Sequence, residues 1–179
     1  MGKIESKIAK KYQKFIAKQK MFFVTTAPKE GRLNLSPKGL DTFRVIDDNK
    51  VAWLNLTGSG NETAAHLLED DRMTVMFCAF EGDPTILRLY GNTKIIHTDE
   101  DEWLEYAALF PPFKGIRQLM LMEVNAVQKS CGYAVPLFDY QGQRDTLMHW
   151  TDKKGADGIK TYWKERNSRS IDGKKTDLG

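Results

Sequence analysis

The chain has 179 residues, enough for one domain with its own hydrophobic core. Hydrophobic residues make up 41% and charged residues 28%, which is typical of soluble globular proteins. The net charge of +3 is small and the lysines concentrate at the two ends, so a nucleic-acid-binding surface is not expected. No apolar run approaches the roughly 18 residues that cross a bilayer. We therefore expect a cytoplasmic protein with no stable membrane association, whose Cys78 and Cys131 are reduced.

The N-terminal segment, residues 1–20, is predicted to be mainly helical. Its apolar stripe consists of Ile4, Ile8, Tyr12, Phe15 and Ile16, and lysines cover the other faces. The motif Met1-Gly2-x-x-x-Ser6 fits the N-myristoylation pattern, which would suit a helix on a membrane surface. Because that motif is short and tolerant, a helix packed on the core with a solvated lysine face is favoured.

Residues 21–130 carry a series of strand patterns joined mostly by short turns, which favours an antiparallel meander over a βαβ arrangement. A helix is expected from Asp99 to Leu109, and Gly91 is expected to make a bend or bulge. The predicted strands are Met21–Thr26, Arg32–Ser36, Thr42–Ile46, Val51–Thr57, Met73–Ala79, Thr85–Ile96 and Ile116–Val127.

Residues 131–179 are predicted to form a helical extension and a tail. The two helices are Gln143–Lys153 and Ala156–Asn167. The tail, Ser168–Gly179, has little to bury, so we expect it to be ordered by contact with the rest of the chain or with a partner subunit. Nothing in the sequence resembles a linker, so residues 1–179 are treated as one domain.

The turn Gly58-Ser59-Gly60 lies between a strand and a helix predicted from Asn61 to Glu69. A strand that ends in small residues and leads into a helix can bind an anion through free backbone N–H groups. Ser59 and Glu62 fit a capping box, and Asn61 is a competing N-cap. Ser59, Asn61 and Thr63 could each bond a phosphate, although a well-capped helix without a ligand explains the pattern equally well.

Two further features indicate either ligand binding or ordinary structure. Ser36-Pro37-Lys38-Gly39 interrupts a strand, and because proline cannot donate to a ladder, this segment belongs at a sheet edge or bulge. Such an edge leaves backbone groups free for a planar ligand. Arg88 is a lone cation among apolar residues, which favours contact with a phosphate or a partner slightly over a side chain that extends into solvent.

Four segments together resemble the pyridoxamine 5′-phosphate oxidase-like superfamily, and most closely its flavin-binding split-barrel proteins. They are NLSPKGLDTFRV, VAWLNLTGSGNETAAHL, MFCAFEG and ILRLYG, and SCGYAVP at 130–136 extends the likeness. The resemblance implies an α+β fold, mainly β with helices at both ends, built on a six-stranded antiparallel split barrel. It also implies a homodimer that binds FMN at the subunit interface.

The resemblance and the features above assign candidate sites but no catalytic side chain and no metal site. Cys131 and Tyr133 would line a substrate pocket, although no histidine spacing marks Cys131 as a nucleophile, so a structural thiol is favoured. The candidate cofactor-binding residues are Ser36, Pro37, Lys38, Gly39, Thr57, Ser59, Asn61, Thr63 and Arg88.

The chain also departs from the true oxidases. Their Ser-Arg-Lys run is replaced by Asn61-Glu62-Thr63, and their C-terminal Trp-x-x-Arg segment is not recognisable. Lys38 and Arg88 are the candidates to replace the missing cations. We therefore expect an FMN-dependent oxidoreductase acting on a small molecule other than a B6 phosphate. The alternatives are a flavin carrier without turnover, or the same fold with the deazaflavin F420 or haem.

Overall fold

The computed structural model describes residues 4–178, which form one curled antiparallel sheet with helices around it. The pattern Met1-Gly2-x-x-x-Ser6 begins at residues that lie outside this range. The strands are β1 Ile4–Glu5, β2 Phe22–Thr26, β3 Asn34–Lys38, β4 Phe43–Val45, β5 Lys50–Leu56, β6 Arg72–Cys78, β7 Thr85–Ile96 and β8 Ile116–Cys131. The helices are α1 Lys10–Ile16, α2 Glu62–Leu67, α3 Trp103–Ala107 and α4 Thr146–Tyr162, followed by a π-helical turn at Trp163–Asn167.

The sheet order is β3-β2-β6-β7-β8-β5-β4, and aromatic contacts show that its two ends curl toward each other. Phe43, on the last strand, lies 4.9 Å from Phe22 on β2 and 5.1 Å from Phe77 on β6, measured between ring centroids. These rings belong to the main hydrophobic cluster or pack against it, so the inner face of the curled sheet is the core. The fold is the predicted α+β split barrel.

The expected number of six strands is wrong, since eight strands are present in the described residues. β8 is 16 residues long and extends beyond β5, whose pairing ends at Glu123. The free edge of β8 at Val127 and Gln128 therefore accepts the two-residue strand β1. Backbone groups on an open edge need partners, which explains why such a short segment is recruited.

The N-terminal helix is shorter than the sequence indicated. Ile4 lies in β1 with its side chain exposed, whereas Ile8, Tyr12 and Ile16 are buried in the main cluster. The helix thus packs on the barrel and presents its lysines to solvent. Among residues 4–178, no helix combines the length and apolar character needed to cross a bilayer.

Two predicted backbone features are present in the sheet. β3, which contains Pro37, is an edge strand. The pairing of β7 with β8 shifts register between Tyr90 and Gly91, so Gly91 does sit at a bulge. The C-terminal helices are also separated as predicted, because Gly155 adopts φ 66° and ψ 172° and kinks α4.

The predicted capping box of Ser59 and Glu62 is wrong. Within the described residues, α2 has no side-chain cap hydrogen bond. The Glu62 carboxylate instead accepts the backbone N–H of Ile171 in the tail, at 3.1 Å for each oxygen. Glu62 therefore binds the tail rather than capping the start of α2.

Candidate functional site

A cleft of about 800 Å³ lies where the edge strand β3, the loop after β5, the start of β8 and the C-terminal segment meet. β3 contributes its last residues, and the loop contributes Thr57 to Asn61. The C-terminal segment closes one side with Arg166 and with residues 169–171. Segments that are distant in the sequence therefore build one concave surface.

Two of the cations that line this cleft have pKa values lowered by burial. Lys38 is the last residue of β3, and its ammonium group lies 5.3 Å from the Trp53 ring centroid. Burial, together with the neighbouring charge of Arg117, lowers the pKa of Lys38 to about 8. Arg117 is only 4% exposed, and burial lowers its pKa to about 10. Among residues 4–178, no carboxylate forms an ion pair with either cation, so the charges of these two residues are not neutralised by the described protein.

Arg117 is held by neutral oxygen atoms. Its Nη1 donates to the Gly60 carbonyl at 2.7 Å and to Asn167 Oδ1 at 2.9 Å, and its Nη2 donates to Asn55 Oδ1 at 2.9 Å. Asn55 Nδ2 in turn donates to Asn61 Oδ1 at 2.8 Å. This buried network fixes the guanidinium without consuming its charge, which is the arrangement expected of a cation kept for an anion.

Two polar atoms of cleft residues are buried without a hydrogen-bond partner in the described structure: Ser36 Oγ and Arg117 Nε. Buried polar groups are nearly always paired, and an unpaired one needs an explanation. A hydroxyl and a guanidinium N–H near Lys38 form a donor set suited to phosphate or carboxylate oxygens.

Eight of the predicted cofactor-binding residues line this cleft: Ser36, Pro37, Lys38, Gly39, Thr57, Ser59, Asn61 and Thr63. Some of their polar groups already have protein partners. The Thr57 hydroxyl donates to the Gly115 carbonyl at 2.7 Å and accepts Trp163 Nε1 at 2.8 Å. Thr63 Oγ1 accepts Asn34 Nδ2 at 3.2 Å, and Asn61 belongs to the network around Arg117. These three side chains position the cleft walls.

Arg88, Cys131 and Tyr133 do not line this cleft. Leu87 and Leu89 are fully buried in the core, so strand alternation directs Arg88 to the outer face of the sheet, where it donates to Ser130 Oγ at 3.1 Å. Cys131, at the end of β8, is exposed, and Tyr133 is 84% exposed. Within one chain the geometry does not bring these residues to the site.

Arg117 is the principal site residue that sequence reasoning missed. It is a lone cation in the apolar run Ile116–Met122, which is the same signal that singled out Arg88. Arg166 and Arg169 also line the cleft, but they do not stand in an apolar run. Only the path of the C-terminal segment brings them there.

Acid–base groups are scarce in the cleft. Among the described residues, His66 is the one histidine in its lining; it is fully buried, and its Nδ1 lies 3.0 Å from Thr26 Oγ1. Burial lowers the pKa of His66, which favours the neutral ring. Glu62, the one acidic residue in the lining, is bonded to the tail. The cleft is therefore suited to binding an anion rather than to general acid–base catalysis by its own side chains.

Comparison with known proteins shows which family the chain resembles. The model for pyridoxamine 5′-phosphate oxidase matches residues 8–131. The pyridoxamine 5′-phosphate oxidase family protein ustO of Aspergillus flavus is 35% identical over 176 residues, an alignment that covers 87% of this chain and 70% of that protein.

Solved structures share the fold at low sequence identity. HupZ of Group A Streptococcus is 17% identical, with a TM-score of 0.56, and the match covers 69% of this chain and 99% of that one. A Lactobacillus delbrueckii protein named after pyridoxamine 5′-phosphate oxidase is 14% identical, with a TM-score of 0.54, over 69% of this chain and 94% of that one. From the family match, the close relative and the shared split barrel, we conclude that this chain belongs to the pyridoxamine 5′-phosphate oxidase family.

Proposed function

We propose that the protein binds FMN in the cleft at the end of β3 and acts as a flavin-dependent oxidoreductase. The observation that carries this proposal is the pair of cations, Lys38 and Arg117, that no carboxylate of residues 4–178 neutralises. Burying charge without an opposite charge is costly, and an anionic ligand would offset that cost. Family membership makes the phosphate of a flavin nucleotide the leading candidate for that anion.

The residues present fit such a group. Lys38 and Arg117 supply charge, and the unpartnered Ser36 Oγ and Arg117 Nε supply free hydrogen-bonding groups. The open edge of β3 supplies backbone groups for a flat ring. α2 has only six residues and carries Glu62 in its first turn, so its dipole adds little, and the cations must do most of the phosphate binding.

Bound FMN would supply the redox chemistry, while the protein would supply position, hydrogen bonds and shielding from water. Lys38 and Arg117 would hold the phosphate end. The network through Asn55, Asn61 and Asn167 would keep Arg117 rigid, because its three hydrogen bonds come from separate parts of the chain.

We further propose that the active form is a homodimer. β3 and the segment before it expose two large apolar side chains, Leu33 at 76% and Leu35 at 63%. Contiguous exposed apolar surface of this kind is typical of interfaces. Arg88 lies on the outer face of the sheet, so it could reach a cofactor only in the cleft of a partner subunit. Light scattering should give a dimer at micromolar concentration, and a monomer that retains flavin would contradict the proposal.

A flavin carrier without turnover is the second candidate. It is favoured because the described part of the cleft lining has no free carboxylate or imidazole: Glu62 and His66 are both engaged. The spectrum of the purified protein distinguishes the candidates. A flavin that bleaches with a reductant and recovers in air indicates an oxidoreductase, whereas a flavin colour that no electron donor changes indicates a carrier. A Soret band would indicate haem and would overturn both.

The phosphate assignment is tested by comparing FMN with riboflavin, which lacks the phosphate. Replacing Lys38 with Met should weaken FMN binding by about 1.5–3 kcal/mol, the range for hydrogen bonds to charged groups, and leave riboflavin binding unchanged. Lys7→Met removes the same charge from an exposed site outside the cleft and should change neither affinity. Equal losses for FMN and riboflavin would show that Lys38 does not hold the phosphate.

Three variants, at two arginines, complete this experiment. Arg117→Lys keeps a charge at that position and should retain more FMN affinity than Arg117→Gln, with circular dichroism confirming that both variants fold. Arg88→Met should weaken FMN binding only if a partner subunit supplies Arg88, since its own chain places it outside the cleft. A loss in a protein that light scattering shows to be monomeric would contradict that explanation.

A further inference from the structure

A second and larger groove adjoins the cofactor cleft. Its volume is about 1580 Å³, and its walls are α1, the hairpin between β6 and β7, and the segment that leads into α4. The two spaces share five lining residues, Pro37 to Leu40 and Leu147. Pockets for small organic ligands usually measure about 300–1,000 Å³, so this groove can accept a molecule with several rings.

Aromatic side chains from different parts of the chain line the groove. The Phe80 and Phe138 ring centroids lie 5.2 Å apart, and the backbone N–H of Phe138 donates to the Phe80 carbonyl at 3.0 Å. Phe138 is nevertheless 58% exposed, so its ring is available to a ligand. The six principal rings are Phe15, Phe23, Phe80, Phe138, Tyr140 and Trp150. Flat rings in a concave surface favour a flat apolar ligand.

The groove is also strongly basic. Of residues 4–178, seven cationic but only three acidic residues line it. Within residues 4–178, Lys11 is the one cation of the seven that forms an ion pair, with Glu5 at 3.6 Å. Lys14 and Lys18, on and just after α1, are exposed at the rim. Charge complementarity therefore favours a ligand that carries negative charge.

The junction between groove and cleft is held in a strained conformation. Leu40 has φ 60°, which is rare for a residue with a large side chain and is common at ligand sites. Its N–H donates to Gln143 Oε1 at 3.0 Å, and Gln143 Nε2 donates to the Lys20 carbonyl at 2.9 Å. Gln143 thus ties the wall that precedes α4 to the turn after β3 and to the segment between α1 and β2.

We propose that this groove is the substrate site and that it takes an organic anion with a flat, multi-ring apolar body. The rings would contact the aromatic wall, the negative group would lie near Lys14 and Lys18, and the reacting end would reach the junction at Leu40. The placement of the reacting end at Leu40 rests on the proposed function, because chemistry can occur at the junction only if a flavin occupies the first cleft. The binding of the anion itself does not depend on the flavin.

The test uses two fluorescent probes of nearly equal shape, 1-anilinonaphthalene-8-sulfonate and the uncharged N-phenyl-1-naphthylamine. The sulfonate should bind the folded protein more tightly than the neutral probe. The double variant Lys14→Gln/Lys18→Gln should weaken sulfonate binding by about threefold to tenfold, the range for two partly exposed charges, and leave the neutral probe unaffected. Phe138→Ala should weaken both probes.

A matched control removes the same two charges elsewhere. Lys7→Gln/Lys153→Gln alters exposed lysines that line neither space, and it should leave sulfonate binding within about twofold. Each titration is performed with and without FMN. Sulfonate binding that survives saturation with FMN supports a groove separate from the cofactor cleft. If FMN itself fails to bind, sulfonate binding to the flavin-free protein still tests the groove.

Four results would overturn the proposal. They are equal affinity for the charged and neutral probes, equal losses in the two double variants, displacement of the sulfonate by FMN, and no fluorescence response from a protein that is dimeric by light scattering. The last result would mean that a partner subunit covers the groove.

Discussion

Lys38 and Arg117 show how a single side chain acquires its function from its surroundings. Burial lowers the pKa of both, and the neighbouring charge of Arg117 lowers that of Lys38 further. Three neutral oxygens hold Arg117, so its charge remains available. Residues with pKa values moved by burial and by a like charge in a cleft are characteristic of functional sites.

The low pKa of Lys38 predicts a pH-dependent affinity for FMN. Below about pH 8 Lys38 is protonated, and above roughly pH 6 the phosphate is a dianion, so binding should be tightest between these values. As pH rises above 8, Lys38 loses its proton and FMN affinity should fall, by at most about tenfold per pH unit for one proton. Fluorescence titration of FMN from pH 7 to 9.5 measures this effect.

The control for this prediction is Lys38→Met, whose FMN affinity should show no comparable fall over that range. Riboflavin should likewise bind with little pH dependence. If Lys38→Met retains the full decline, another group is responsible for it.

The lowered pKa of Lys38 also affects the stability of the fold. Between about pH 8 and the ordinary lysine pKa of 10.5, the unfolded chain binds more protons at this position than the folded chain does. The destabilising contribution of Lys38 should therefore diminish as pH rises through that window.

Among the elements, β7 and β8 form the longest pairing in the sheet, and this pairing carries the bulge at Gly91. At Gly91 an added Cβ would lie 1.9 Å from the Glu123 carbonyl oxygen, a backbone atom that cannot move aside easily. The bulge therefore depends on glycine for close approach of two strands. The extra length of β8 beyond this point is what recruits β1.

Replacing Gly91 with Ala should destabilise the protein by roughly 1–3 kcal/mol or more, the usual result of overpacking against rigid neighbours. Gly158→Ala is the matched control, because there an added Cβ meets only the Lys154 side chain at 3.6 Å. Within a helix that change should be neutral or stabilising by up to about 1 kcal/mol. Urea unfolding monitored by circular dichroism measures both. Similar midpoints for the two variants would show that the strands can separate at the bulge.

The whole molecule unites a split barrel with a C-terminal segment that closes the cofactor cleft. The tail is anchored by Arg32 with Asp172, by Lys174 with Glu69 at 2.7 Å, and by Ile171 with Glu62. This anchoring brings Arg166 and Arg169 to the cleft, although the helix start lacks the Arg-Lys pair expected of a B6-phosphate oxidase.

We predict that the protein does not oxidise pyridoxamine 5′-phosphate efficiently. A substrate phosphate needs fixed donors, since a displacement of about 1 Å can already lower the rate about 100-fold. An aerobic assay of pyridoxal 5′-phosphate formation by the FMN-loaded protein should give turnover far below the enzyme median of about 10 s⁻¹. Turnover near that median would contradict this prediction. If Arg166→Gln then lowered the turnover, Arg166 would be identified as a residue that binds the substrate phosphate.

Local sequence determined most of the sheet. Runs of β-branched, aromatic and other apolar residues, bounded by turn residues, located β2, β5, β6 and β7 within one or two residues. Pro37 predicted the sheet edge, and Gly91 predicted the bulge. These features are decided by dihedral preference and hydrogen-bond capacity over a few residues, so the chain alone is sufficient to indicate them.

Only the tertiary structure decided the composition of the site. Arg117 meets Asn55 and Asn167 across 62 and 50 residues of sequence, and Glu62 meets Ile171 across 109. Arg88 and Arg117 give the same signal in sequence, yet strand alternation places Arg88 on the outer face, whereas Arg117 lies where the pairing of β5 with β8 shifts register and belongs to the buried network. Such contacts depend on how the sheet curls and where the tail crosses it, and this long-range packing has no periodic trace in the residues themselves.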